Sequence, residues 1–126
     1  VPRHERLLLD TVALLRIGVG NVAPKTVARI EAASEVAYSV ISLLEIATKV
    51  SVGKLVRPPR LLEMVHAGGL TRLGIEDTHV VRYEGLPWLH RDPWDRLIIA
   101  QALEGRYTVA TSDEHFAQYG VSVLPL

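Results

Sequence analysis

Apolar residues along this chain arrive in short blocks whose spacing switches between a strand-like and a helix-like period. The run ERLLLDT stops at Asp10, and ALLRIG then has its apolar positions at helical spacing, which predicts strand, acid, helix. From Pro24 to Ala33, PKTVARIEAA puts Val27 and Ile30 on one side of a modest helix, and EVAYSVIS follows with the β-branched and aromatic content of a short buried strand. In SLLEIATKVSVGKL, Leu43, Ile46, Ala47 and Val50 form one helical stripe that Gly53 ends in the C′ position. The prolines before and the double glycine after RPPRLLEMVHAGG predict a helix from Arg60 to Ala67. TRLGI reads as a short strand, IEDTHVVRYEGL as a helix begun by Asp77 or Thr78, and GLPWLHR as a loop with Trp88 folded inward. PWDRLIIAQALEG is a helix with Pro93 near its first position and Gly105 near its end. YTVATSD is a strand that again stops at an acid, DEHFAQYG is a short helix, and VSVLPL is a final strand.

Strands alternating with helices predict an α/β fold with a parallel sheet covered on both faces, because parallel neighbours need a crossover connection. A length of 126 residues with 48% hydrophobic residues is enough apolar material for one core, so residues 1–126 are expected to form one domain. Lys+Arg and Asp+Glu both number 14, so no bulk charge draws the chain to nucleic acid or membrane, and a polyanion would have to meet a local patch. Cysteine is absent, which excludes disulfides and thiolate metal sites. No apolar run approaches the ~20 residues of a membrane span, and no signal peptide is visible. A soluble, cytoplasmic protein is expected; the opening VPRHER carries no weight in this reading.

Four acids fall in comparable places: Asp10 and Asp113 after strands, Glu45 and Asp95 in the first turns of helices. Carboxyl ends of parallel strands border the ligand crevice of such sheets. Each acid also has a plainer explanation. Ser42 to Glu45 fits a capping box, Asp92 to Asp95 is a near relative of one, and Asp10 and Asp113 can cap the helices that follow. Against capping alone, Glu45 sits among Leu43, Leu44, Ile46 and Ala47, and Asp95 leads into LIIA, where the chain turns inward. Carboxylates gathered at one crevice repel one another unless a cation is present, and Mg²⁺ or Mn²⁺ with oxygen ligands resolves that repulsion without Cys or His.

LLLDTVALL, VISLLEIATKVSVGKL, HRDPWDRLIIAQA and TVATSDEHFAQYGVSVL, in this order, resemble the PIN-domain family, and within it the VapC-type toxins of bacterial toxin-antitoxin pairs. The resemblance covers nearly the whole chain. It implies a three-layer α/β/α sandwich with a central, mainly parallel sheet, and a metal-dependent RNA endonuclease that is dimeric and inhibited by an antitoxin. It places the acidic cluster on Asp10, Glu45, Asp95 and Asp113, with Mg²⁺ or Mn²⁺ as the cofactor, and leaves Asp92 as the N-cap before Pro93. The chain departs from its relatives at Val12, often His, and at Arg16, often a large aromatic residue.

The implied chemistry is phosphodiester hydrolysis by an activated water. Thr111 and Ser112 flank Asp113 and are candidates for positioning water or phosphate, with capping by Ser112 as the alternative. Arg16, Lys49, Lys54, Arg91 and Arg96 are candidates for the RNA backbone; Lys49 is equally an i,i+4 partner of Glu45, and Arg96 equally a solvated charge. His90 and His115 could lie at the crevice mouth and receive no catalytic role. Trp88 and Trp94 are read as packing rather than base-stacking residues, and Leu61, Leu62, Met64 and Val65 as a possible partner surface. Two other readings stand beside the nuclease: a flavodoxin-like phospho-acceptor domain, disfavoured because Asp10 is followed by Thr11 and the last strands lack Lys, and a PIN-like scaffold that only binds.

Overall fold

The computed structural model describes residues 4–126, and the first residues of VPRHER lie outside that range. In chain order its elements are β1 (Arg6–Leu9), α1 (Thr11–Gly18), α2 (Pro24–Ala32), β2 (Glu35–Ser39), α3 (Val40–Ser51), α4 (Leu61–Ala67), β3 (Thr71–Leu73), α5 (Asp77–Glu84), α6 (Pro93–Gly105), β4 (Thr108–Thr111) and β5 (Val123–Pro125). A 3-10 turn at Phe116–Tyr119 joins the last two strands. Every pairing is parallel, in the order β3-β2-β1-β4-β5.

Successive side chains of β1 point to opposite faces and both faces are covered, which is why Leu7, Leu8 and Leu9 form an unbroken apolar run. Leu7 and Leu9 pack with Ala13 and Leu14 of α1, Ile46 of α3, and Leu61 and Val65 of α4; Ile30 of α2 lies against the same cluster. Leu8 packs the other way, with Ile98, Ile99 and Ala102 of α6, Val109 and Phe116, and Tyr83 of α5 borders them. Helices α1 to α4 therefore cover one face and α5 and α6 the other, the expected α/β/α sandwich. A flavodoxin-like sheet has the order 2-1-3-4-5. The order here is 3-2-1-4-5, so the phospho-acceptor reading loses its scaffold.

Several expectations are corrected. The strand EVAYSVIS ends at Ser39, and Val40 already belongs to α3. Ser39, not Ser42, is the N-cap, its Oγ accepting from the Ile41 N–H at 3.1 Å. The strand-like run VIS was overridden because the helix start buries Ile41 and Ser42. Glu45 consequently lies in the second turn of α3, beyond the reach of a capping box. DEHFAQYG forms only the 3-10 turn, too short to sustain an α-helix and closed by Gly120 at φ 80°. Trp88 is exposed rather than folded inward; it is 72% accessible, with the Arg96 guanidinium 3.8 Å from its ring centroid. On α4, Leu61 and Val65 are core residues and only Leu62 is exposed, so the four residues do not form a common partner surface.

Candidate functional site

β1 sits between β2 and β4, and the chain leaves β1 for one neighbour while β4 proceeds to the opposite edge, so a crevice is expected outside their carboxyl ends. Asp10 and Asp113 follow those ends. The Asp10 N–H donates to the Ala110 carbonyl at 3.1 Å, extending the β1–β4 pairing by one residue. Its Oδ1 accepts from the Ala13 N–H at 2.7 Å, so Asp10 does cap α1, yet it is buried. Burial pushes its carboxyl above the ordinary 3.8; hydrogen bonds from Thr111 and Ala13 oppose this, and the charges of Asp113 and Glu45 add to it.

Glu45 is buried as well. Its Oε1 accepts from the Thr11 hydroxyl at 2.7 Å and its Oε2 from Lys49 Nζ at 2.8 Å. Ser42 Oγ lies 3.0 Å from the Thr11 oxygen, so the residue after Asp10 ties α1 to α3 at the site. Asp92 caps α6, with Oδ1 accepting from the Trp94 and Asp95 N–H groups, and Pro93 occupies the first helical position. Asp95 is thereby free of capping duty. Its carboxyl is pushed up to about 6, first by burial and then by Asp92, with Glu45 adding to the rise and His90 opposing it. Burial also raises Asp113, but hydrogen bonds from the His115 backbone and ring, with the neighbouring histidine charges, hold it below the ordinary value. Asp10 feels Asp113 and Glu45, and Asp95 feels Glu45, so the four acids share one field.

The histidines are closer to these acids than the sequence reading placed them. His90 Nε2 lies 2.9 Å from Asp95 Oδ2 and 3.1 Å from Asp113 Oδ2, and His115 Nδ1 lies 2.8 Å from Asp113 Oδ1. The two imidazoles stack with centroids 4.7 Å apart. Spacing was the available signal: His90 stands five residues before Asp95 and His115 two after Asp113. Thr11, also missed, was visible only as the second letter of DT.

The remaining candidates divide. Arg96 is not a phosphate contact: it is 1% exposed, and its guanidinium donates to the carbonyls of Tyr83, Leu86 and Pro87. It faces inward because its helix position falls on the core side of α6, where it folds the loop after α5 into shape. Arg91 and Lys54 are exposed, Arg16 is half-buried, and Lys49 keeps its pair with Glu45. Thr111 is buried and its Oγ1 accepts from the Asp113 N–H at 2.9 Å, so it shapes the turn that presents Asp113. Ser112 is exposed, and Asp113 rather than Ser112 closes that turn by accepting from the His115 N–H. Trp94 packs against the core as expected.

A sequence model of the PIN domain matches residues 7–121. No curated protein matches the chain. Among solved structures, the chain is similar to a chain of VapBC2 from Rickettsia felis bound to a DNA fragment from its promoter, with TM-score 0.72, 15% identity, and coverage of 95% of this chain and 98% of that one. It is similar also to DNA-bound VapBC from Salmonella typhimurium (TM-score 0.69, 19% identity, 96% and 98% covered). VapBC-5 from Mycobacterium tuberculosis, a member of the VapBC family of toxin-antitoxin systems, aligns with TM-score 0.67, 22% identity, and 99% and 98% coverage. At these identities the likeness is one of fold.

Proposed function

The chain belongs to the PIN-domain family, and from that premise we propose that it is a VapC-type toxin: a metal-dependent endoribonuclease that hydrolyses phosphodiester bonds and is held in check by a protein antitoxin. The observation that carries this reading is the charge coupling among the acids: Asp113 and Glu45 raise Asp10, and Asp92 and Glu45 raise Asp95, in both cases after burial as the larger cause. Capping accounts for one oxygen of Asp10 and for none of Asp95. A set of buried and half-buried carboxylates, two of them raised by neighbouring acids, suits a hard divalent cation, Mg²⁺ or Mn²⁺, which takes oxygen ligands and removes the repulsion.

Asp10, Asp95 and Asp113 would hold the ion, with Glu45 as a further ligand or as an acceptor oriented by Thr11 and Lys49. Bound there, the ion supplies an acidified water and charge neutralisation at the phosphate. The protein's own part is to fix the carboxylates before substrate arrives. Thr111 sets the turn under Asp113, the β1–β4 pairing sets Asp10, and Asp92 sets the first turn of α6 under Asp95. Arg16, Lys54, Arg91 and Lys49 would meet the RNA backbone at the rim, and exposed Trp88 offers a stacking face. The antitoxin, a homodimer and a cytoplasmic location belong to the same proposal. Among the described residues no helix is long and apolar enough to cross a membrane.

Cleavage of defined structured RNAs with Mg²⁺, Mn²⁺ or chelator tests it. Wild type should cut only with metal, and Asp10→Asn, Glu45→Gln and Asp113→Asn should each lose cleavage. Cleavage at wild-type rates by Asp10→Asn with the same metal requirement would leave capping as that residue's whole role.

A further inference from the structure

Oxygen ligands alone do not describe the rim of this site. We propose that His90, Asp113 and His115 form a nitrogen-bearing metal subsite that selects a borderline divalent ion, Zn²⁺, Co²⁺ or Ni²⁺, over Mg²⁺. The inference deepens the metal-centre reading above and rests on it only for the place of Asp113 in that centre. The ligand atoms of the three residues lie within 4.8 Å of one another, and all three side chains are half-buried. The contacts between His90 Nε2 and Asp113 Oδ2 (3.1 Å) and between His115 Nδ1 and Asp113 Oδ1 (2.8 Å) are near the roughly 3 Å that separates cis ligands bound at about 2.1 Å in octahedral coordination.

The two rings reach Asp113 from different segments, and each is placed by contacts other than the acid's charge. The Tyr119 hydroxyl accepts from the Leu89 and His90 N–H groups at 3.1 and 2.9 Å and donates to the Pro87 carbonyl at 2.7 Å, pinning the loop that carries His90. Arg96 holds the same loop from inside. His115 begins the 3-10 turn that buries Phe116, and its ring stacks on that of His90. Imidazole suits Zn²⁺, Ni²⁺ and Co²⁺ but is a poor ligand for Mg²⁺, which keeps its oxygens and waters. Two imidazoles and a carboxylate leave open positions, so Asp113 would be shared between a nitrogen-bearing ion and the oxygen cluster of Asp10, Glu45 and Asp95.

The test is a titration of the metal-free full chain with Co²⁺, followed by visible absorption, beside a calorimetric titration with Mg²⁺. Wild type is compared with His90→Gln, His115→Gln and the double variant; Gln keeps hydrogen-bonding capacity but is a poor ligand for these ions. Co²⁺ affinity should fall about tenfold or more for each histidine, as ligand-sphere changes do, with loss of nitrogen-ligated absorption bands, and by several times more than Mg²⁺ affinity changes. As a second measurement on the unmutated chain, Co²⁺ should shift the ring-proton NMR signals of two of the five histidines. Unchanged Co²⁺ affinity and spectrum in the double variant, or no shifted histidine in wild type, would overturn the subsite and leave the rings as hydrogen-bond partners of Asp113. Failure of the nuclease reading looks different: no RNA cleavage with any metal, alongside Co²⁺ binding that still depends on the histidines.

Discussion

Asp95→Asn isolates the repulsion that defines the site, because asparagine keeps the shape of the side chain at the start of α6 while deleting one charge. The capping bonds belong to Asp92, so they survive the change. An acid whose folded pKa is raised costs stability once ionised. Below its ordinary value of 3.8 both folded and unfolded chains are protonated and there is no cost; the cost grows between 3.8 and about 6 and is full above that. At 1.36 kcal/mol per pKa unit the full penalty is about 3 kcal/mol. Solvent at the half-open crevice screens part of this, which leaves a net gain of about 2 kcal/mol. Urea unfolding in chelator should therefore find Asp95→Asn more stable than wild type by about 2 kcal/mol at pH 8, and equal to it near pH 4. Saturating Mg²⁺ should reverse the order at pH 8, since binding stabilises only the chain that binds. No gain at pH 8, or the same gain at both pH values, would show that Asp95 carries no charge penalty and would remove the physical basis for a cation at this place.

Three further outcomes follow from named contacts. Arg96→Met keeps volume but leaves the Leu86 carbonyl without its guanidinium donor, while Tyr119 still serves Pro87 and the Leu86 N–H still serves Tyr83; it should destabilise by about 1–3 kcal/mol in urea unfolding, as an unsatisfied buried acceptor does, and a loss below about 1 kcal/mol, typical of a surface charge, would return Arg96 to the rim. Asp92→Ala should cost ~1 kcal/mol through the lost N-cap with RNA cleavage retained, and loss of cleavage at full stability would make Asp92 a ligand. RNA affinity should fall with salt along a shallow log-log line, no steeper than about −3 for the four rim cations at about 0.7 per phosphate, and a steeper slope would mean a basic surface beyond Arg16, Lys49, Lys54 and Arg91.

Local periodicity by itself determined most of the element order. The runs at residues 7–9, 98–100 and 109–110 are fully buried and wholly apolar, and the Pro93 start and the Gly53 stop report backbone geometry that few other residues satisfy. Asp10, Asp95 and Asp113 were legible for the same reason, since each stands at or near an element boundary that the pattern marks, whereas Glu45 was singled out by its apolar neighbours Leu43, Leu44, Ile46 and Ala47. Tertiary structure decided the rest. VIS became helix because burial of Ile41 and Ser42 outweighed a weak strand preference, which moved Glu45 out of capping range and into the cluster. Arg96 turned inward and Trp88 outward because a guanidinium can satisfy three loop carbonyls at once, a geometry no linear pattern encodes. His90 and His115 met at Asp113 because two segments far apart in sequence fold over the same carboxylate. Hydrophobic period is a property of neighbours along the chain, whereas charge repulsion and ligand geometry depend on distances through space, and only the folded sheet sets those.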